Sequence, residues 1–191
     1  LMNSRGIPLD MDAVNAGFEV LRQLEERVVK RVTELTGGIR PTQRDKMLEF
    51  FNSLGLEMEN TQAKTIKDLV TLRGDDLEPK TKELLLLRIE GGKASTKKLK
   101  KMLQVACDDG RVRGAFLYWG ASTGRLAGKL IQPQNFTRGE YKPHQLEDIF
   151  KLIEMRDPEV FEIVHEWPID AIAQAMRGFI KAPKGKKFVV V

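Results

Sequence analysis

Apolar residues recur along the first forty positions at intervals of three and four: Val14, Phe18, Leu21, Leu24, Val28, Val32 and Leu35. That spacing puts them on one face of a long helix, with Asp10 or Asp12 available to cap its start and Gly37-Gly38 to stop it. The opposite face carries Arg22, Glu25, Glu26, Lys30 and Arg31. Such a helix is roughly 35–40 Å long and needs partners packed along it. A second helix is expected from Thr42, with Asp45 three positions on in the manner of a capping box, an apolar side of Met47, Leu48, Phe50 and Phe51, and a stop at Gly55. A third covers about Ala63 to Leu72, followed by a turn at Arg73-Gly74-Asp75-Asp76. A fourth starts at Pro79, a good first-turn residue, and contains Leu84 to Leu87; Gly91-Gly92 separates it from a fifth at Ser95–Val105.

The character changes at the acidic turn Asp108-Asp109-Gly110. Val112 to Trp119 reads as a strand or hairpin, and Ser122 to Asn135, which has no clear period, as irregular structure. Helices resume at about His144–Glu154, Glu159–Glu166 and Ile169–Phe179. Pro183-Lys184-Gly185 makes a turn, and Phe188-Val189-Val190-Val191 begins a strand that breaks off in mid-run, so an artificial boundary is expected there. The fold class expected is mainly α with a small β component (α+β).

Composition narrows the function classes. The chain has 191 residues, enough for one domain or two small ones, with a net charge of +5 and a pI near 9.3. A basic balance favours a polyanionic partner such as nucleic acid. The one cysteine, Cys107, excludes an intrachain disulfide or a cysteine metal site and reads as a small buried apolar residue. No apolar run approaches the ~18 residues of a membrane span, and no signal-peptide pattern opens the chain, so no membrane partner and a cytoplasmic location are expected. His144 and His165 lack metal-ligand spacing, and neither a Walker A loop nor a dinucleotide fingerprint is present. Read alone, the chain contains no active site: no catalytic residue and no metal ligand are assigned.

Two constellations carry chemistry. Lys93, Ser95, Thr96, Lys97 and Lys98 follow Gly91-Gly92, where small residues let backbone N–H groups approach an anion and hydroxyl and ammonium groups meet phosphate oxygens. The same residues also fit a solvated, lysine-rich helix end. Further on, Thr123-Gly124-Arg125-Leu126 precedes Gln132-Pro133-Gln134-Asn135. One Arg with Gln and Asn can donate to the minor-groove acceptors that all base pairs share. A structural loop whose polar groups satisfy its own backbone is the other reading.

The spacing of these segments resembles family A DNA polymerases, in particular their shorter, phage-type branch. Asn3-Ser4-Arg5-Gly6-Ile7-Pro8-Leu9-Asp10 resembles the segment that opens the thumb of that family. Arg88 with Lys93, Ser95 and Thr96 resembles the thumb segment that grips duplex phosphates. The run through Gly110, Arg111, Val112, Phe116, Thr123, Gly124, Arg125 and Leu126 matches without a gap, Gln134-Asn135 sits at the family's Gln-Asn pair, and Arg177, Phe179, Ala182 and Pro183 resemble the approach to the palm strand. The chain departs from the pattern at Ala127 and Gly128, where serines are usual, at Pro133 and Thr137, and in the shifted position of Lys93.

The resemblance implies a thumb-like helical subdomain at 1–108 and a partial palm at 109–191, cut off just before the first catalytic aspartate. The parent enzyme would be a DNA-directed DNA polymerase, a nucleotidyltransferase of DNA replication, using Mg2+ and deoxynucleoside triphosphates that this fragment does not itself hold. The fragment would be inactive and would bind primer–template duplex DNA. Arg88, Lys93, Ser95, Thr96 and Lys97 would contact phosphates; Arg125, Gln134 and Asn135 would face the minor groove at the primer terminus, supported by Thr123, Gly124 and Arg177. The exposed edge of the last strand would favour self-association. The alternatives are a self-contained non-catalytic helical duplex-binding module, a helical scaffold with a solvated lysine face, and a polymerase homologue whose continuation lacks the aspartate.

Overall fold

The structure, a computed structural model, describes residues 2–92 and 95–187; the side chains of Ser95 and Thr96 are also outside the description, as are Lys93 and the expected strand Phe188–Val191. The chain divides into two compact units, residues 1–22 with 94–191, and residues 23–93. The thumb–palm boundary implied near residue 108 falls inside the first of these. It concerns subdomains of a family rather than compactness of this chain.

The long helix forms as its periodicity predicts. It is α2 (Met11–Thr36), preceded by a single turn α1 (Met2–Arg5) and the short strand β1 (Ile7–Pro8). Asp10 is the capping residue, its Oδ1 accepting the Ala13 N–H at 3.2 Å. Gly37 at φ +69° and Gly38 at φ +123° end the helix, conformations that cost a side-chain-bearing residue dearly.

The second unit takes the C-terminal part of α2 with α3 (Arg44–Ser53), α4 (Ala63–Arg73) and α5 (Pro79–Gly91). Leu24, Val28, Val32, Met47, Phe51, Ile66, Leu84, Leu85 and Ile89 are among its buried apolar side chains. The expected Thr42–Asp45 capping box does not form. Pro41 and Thr42 make a turn, α3 begins two residues later, and the N-cap Gln43 turns its side chain back to accept the Arg40 N–H at 2.8 Å. Gly91 is required by close approach, since a Cβ there would meet the Pro41 ring at 2.6 Å. Arg31 grips Glu83 through two bonds of 2.6 and 2.9 Å, a solvent-facing pair of small energetic weight.

The first unit combines the start of α2 with α6 (Ser95–Val105), short strands β2 (Arg111–Val112), β3 (Phe116–Leu117) and β4 (Ala127–Gly128), and helices α7 (Pro143–Met155), α8 (Pro158–Val164) and α9 (Pro168–Gln174). Each of α7, α8 and α9 has Pro in its first turn, where the missing N–H costs nothing. The helix expected through Phe179 tightens after Gln174 into a 3-10 segment, Ala175–Phe179.

The strand expected over Val112–Trp119 is divided. Gly114 at φ +69° breaks it, so that β2 pairs antiparallel with β1 (Ile7 opposite Val112) and β3 with β4 (Phe116 opposite Gly128). Cys107 is exposed rather than buried, because it stands at the turn that joins α6 to β2, where Gly110 donates to its carbonyl at 2.8 Å.

Phe179 is the centre of the first unit's core. It is fully buried, meets Phe150 edge-on at 5.0 Å between ring centroids, and lies so close to α2 that a Cβ on Gly17 would fall 2.8 Å from its ring. Phe179→Ala is therefore expected to cost about 3–5 kcal/mol of stability, measured by denaturant unfolding, whereas a loss under about 1 kcal/mol contradicts this packing.

Candidate nucleic-acid interface

Of the implied phosphate and minor-groove residues, Arg88 belongs to the second unit and Lys97, Arg125, Gln134 and Asn135 to the first; Lys93 and the side chains of Ser95 and Thr96 lie outside the described residues. In the second unit α5 carries Thr81, Leu84, Leu85, Arg88 and Ile89 on one buried stripe. The periodicity that buries the leucines therefore also buries Arg88, which is 6% exposed. Its Nη2 donates to Thr61 Oγ1 at 3.0 Å, and its Nη1 lies against Gly92, where an added Cβ would approach to 2.5 Å. Its Nε is buried and has no hydrogen-bond partner among the described residues. Burial, and next the positive charge of Arg44, push the Arg88 guanidinium below the usual arginine range.

Arg88 lines a cavity of about 590 Å³ together with Arg44, at the first turn of α3, and Thr61, Gln62 and Ala63, where α4 begins. Gln62 is the N-cap of α4 but makes no capping bond, so that helix presents its N-terminal dipole to the cavity without a side-chain cap. Asp45 and Glu59 also reach the rim, yet neither pairs with Arg88. Two guanidinium groups, one buried and incompletely bonded, beside a hydroxyl and an uncapped helix start suit a tetrahedral oxyanion.

In the first unit, residues 121–125 fold into a tight turn between β3 and β4. Gly124 donates to the Ala121 carbonyl at 2.9 Å and Ala121 donates to the Arg125 carbonyl at 3.3 Å. Gly124 holds φ +74°, and Trp119 ring atoms would lie 3.2 Å from a Cβ there. Thr123 and Arg125 project into solvent.

Gln134 and Asn135 belong to a 3-10 turn, Pro133–Asn135. The Asn135 amide donates to Gln132 Oε1 at 2.8 Å, and Gln132 donates in turn to the Gly128 carbonyl at 3.1 Å. The Gln134 amide lies directly over Gly128, in the space that any β-carbon at 128 would occupy. Gly128 thus makes room for the side chain of Gln134. Arg177 secures the same loop from beneath, its Nη2 donating to the Phe136 carbonyl at 3.1 Å.

The sequence singled out Lys97 for phosphate contact, and it is exposed. Its neighbour Lys98 lies 5.3 Å over the Phe136 ring, a cation–π contact beside the Gln134–Asn135 turn. Sequence reasoning also passed over Arg44, Thr61 and Gln62, which nothing marks until α3, α4 and α5 are packed together. Arg5, Arg111, Arg113, Lys186 and Lys187 line a further cationic groove of about 640 Å³ in the first unit. There Arg113 is fixed by Asp109, through bonds of 2.8 and 2.6 Å, and Arg111 donates to the Arg5 carbonyl at 3.0 Å.

The chain is 28% identical over 190 residues, 99% of its length, to a protein of Bacillus phage SP02 named DNA polymerase. It is related to a DNA polymerase. The chain spans 28% of the length of that relative. No protein-family model matches it, and no solved structure matches it.

Among the described residues no group of three or more His, Cys, Asp or Glu side chains is placed to hold a metal ion. Among them, too, no helix is long and apolar enough to cross a membrane.

Thr61→Val removes the acceptor of the buried Arg88 Nη2 while keeping side-chain volume. It is expected to destabilise the second unit by about 1–3 kcal/mol in urea unfolding, with partial recovery on adding phosphate. Unchanged stability would mean that Arg88 is satisfied elsewhere.

Proposed function

We propose that this chain is part of a DNA-directed DNA polymerase and serves there to hold primer–template duplex DNA. The observation that carries the reading is the alignment with the phage protein named DNA polymerase along 99% of the chain. The cationic cavity around Arg88 and the exposed Arg125 supply chemistry consistent with it.

In this reading residues 1–108 are thumb and 109–191 the first part of the palm. Arg88 and Arg44 receive a backbone phosphate, with Thr61 holding the Arg88 guanidinium in orientation. Burial raises the strength of that contact, because the low-dielectric surroundings screen little of the charge. Lys97, which is exposed, adds a phosphate contact of the solvent-facing kind, and Lys93, Ser95 and Thr96 complete the phosphate-binding set. Contacts of this type bind every sequence alike and weaken as salt rises.

Arg125 and Gln134 take the minor-groove acceptors of the terminal base pair, groups common to all correct pairs. Asn135 gives one amide N–H to Gln132, which holds the turn that presents Gln134, and keeps its second N–H for the same groove. Thr123 and Gly124 shape the turn that presents Arg125, and Arg177 holds the loop from below. The carboxylates and magnesium of nucleotidyl transfer, and the sites for deoxynucleoside triphosphates, belong to the remainder of the polymerase. The chain alone is therefore expected to incorporate no nucleotide.

Two measurements test this. Arg44 is exposed, so Arg44→Gln leaves the fold intact. It should weaken binding to duplexes of any sequence equally and reduce the slope of log K against log salt by about one unit. A sequence-dependent loss contradicts a phosphate role. In the full-length protein, Arg125→Ala should lower the primer-extension rate about 10-fold or more with little change in duplex affinity, in keeping with roughly 1–3 kcal/mol for a good base-edge contact. An unchanged extension rate overturns the assignment.

A further inference from the structure

The hairpin between β3 and β4 exposes more large apolar surface than its size requires. Leu117 is 52% exposed, Tyr118 82%, Trp119 69% and Leu126 48%. The two aromatic rings are neighbours, 6.5 Å apart between centroids with their planes at 50°. Trp119 adopts φ +54°, a left-handed backbone that a bulky residue seldom takes. Its ring reaches back over Gly124, whose lack of a side chain leaves room for it. The turn thereby fixes the indole while leaving most of it in water, an arrangement that gains little from ordinary burial.

The surroundings specify the chemistry of what could cover this face. From residue 111 to 139 there is no acidic residue, while Arg111, Arg113, Arg125, Lys129 and Arg138 all fall within that stretch. Arg125 projects from the same turn and makes no ion pair with any described residue. An apolar partner protein would leave that guanidinium desolvated and unpaired, at a heavy cost. A nucleic-acid strand offers both requirements at once: flat unsaturated bases for the rings and phosphates for the cations.

We propose that Tyr118 and Trp119 form a stacking platform for the unpaired bases of a DNA strand, with Arg125 meeting the accompanying phosphate or base edge. This inference rests on the DNA-binding reading above and extends it from paired to unpaired DNA. Stacking on the aromatic faces is indifferent to sequence, because every base presents a π-face.

The test uses the 191-residue chain carrying Trp167→Phe, so that Trp119 is its one remaining tryptophan. Short oligothymidylate should quench Trp119 fluorescence; the same sugar–phosphate strand lacking bases should not. Tyr118→Ala and Trp119→Ala should each weaken oligothymidylate binding about 5- to 150-fold and leave binding to a blunt duplex unchanged, while Trp119→Phe retains most of the affinity. Equal binding to the strand without bases, or unchanged affinity in the alanine variants, overturns the platform and leaves duplex binding standing. Failure of the parent chain to bind a blunt duplex instead overturns the function proposed above. A shared loss of duplex binding in the alanine variants also counts against the platform, since it assigns the rings a structural role.

Discussion

The first unit depends on one short piece of extended backbone. Residues 7–10 are bonded on both sides: β1 pairs with β2, Leu9 donates to the Gly110 carbonyl at 2.9 Å, and on the other flank Asp10 donates to the Phe179 carbonyl at 2.9 Å. Lys181 then donates its backbone N–H to the Pro8 carbonyl at 3.3 Å and its ammonium to Asp10 at 2.7 Å. Regions more than a hundred residues apart in sequence are thus gathered on four residues. Pro8 is tolerated there because proline still offers a carbonyl. The loops that carry Arg125 and Gln134 start from this junction, so their geometry inherits its order.

The second unit is governed by a different constraint, a cation that its helix periodicity forces inward. Arg88 occupies the stripe position three and four residues beyond Leu85 and Leu84, and among the described residues no carboxylate pairs with it. Burial and Arg44 both disfavour the charged form, and among the described residues Thr61 alone accepts a hydrogen bond from it. A charge held this way is costly in the free protein and strongly attracts an anion. Under the proposed phosphate role, stability and binding draw on the same group.

Much of this was legible in the residues. The period of α2 and its glycine stop, the leucine stripe of α5, and the proline-led helices near the C-terminus follow from local rules that tertiary packing did not override. Arg88's burial was itself readable from its spacing to Leu84 and Leu85, although the charge made an exposed phosphate contact the natural expectation. The divided strand at 111–117 was not legible, because two-residue strands have no period to detect and their partners come from residues 7–8 and 127–128. The cavity was equally hidden: Arg44, Thr61 and Gln62 are ordinary polar residues until three helices bring them together. Cys107 misled because its chemistry suggests burial, whereas its place in a tight turn decides its exposure.

Gly128 and Gln134 share a single volume, the amide of one filling the space that the other leaves vacant. Six positions apart in sequence, they are interlocked in shape. A substitution that adds even a methyl group at 128 displaces the amide that the 3-10 turn presents, and a shorter residue at 134 opens a void over the strand. A side chain gained at 128 therefore obliges the Gln134 amide to take up another rotamer, so the direction in which the loop presents that amide is set from the strand beneath it.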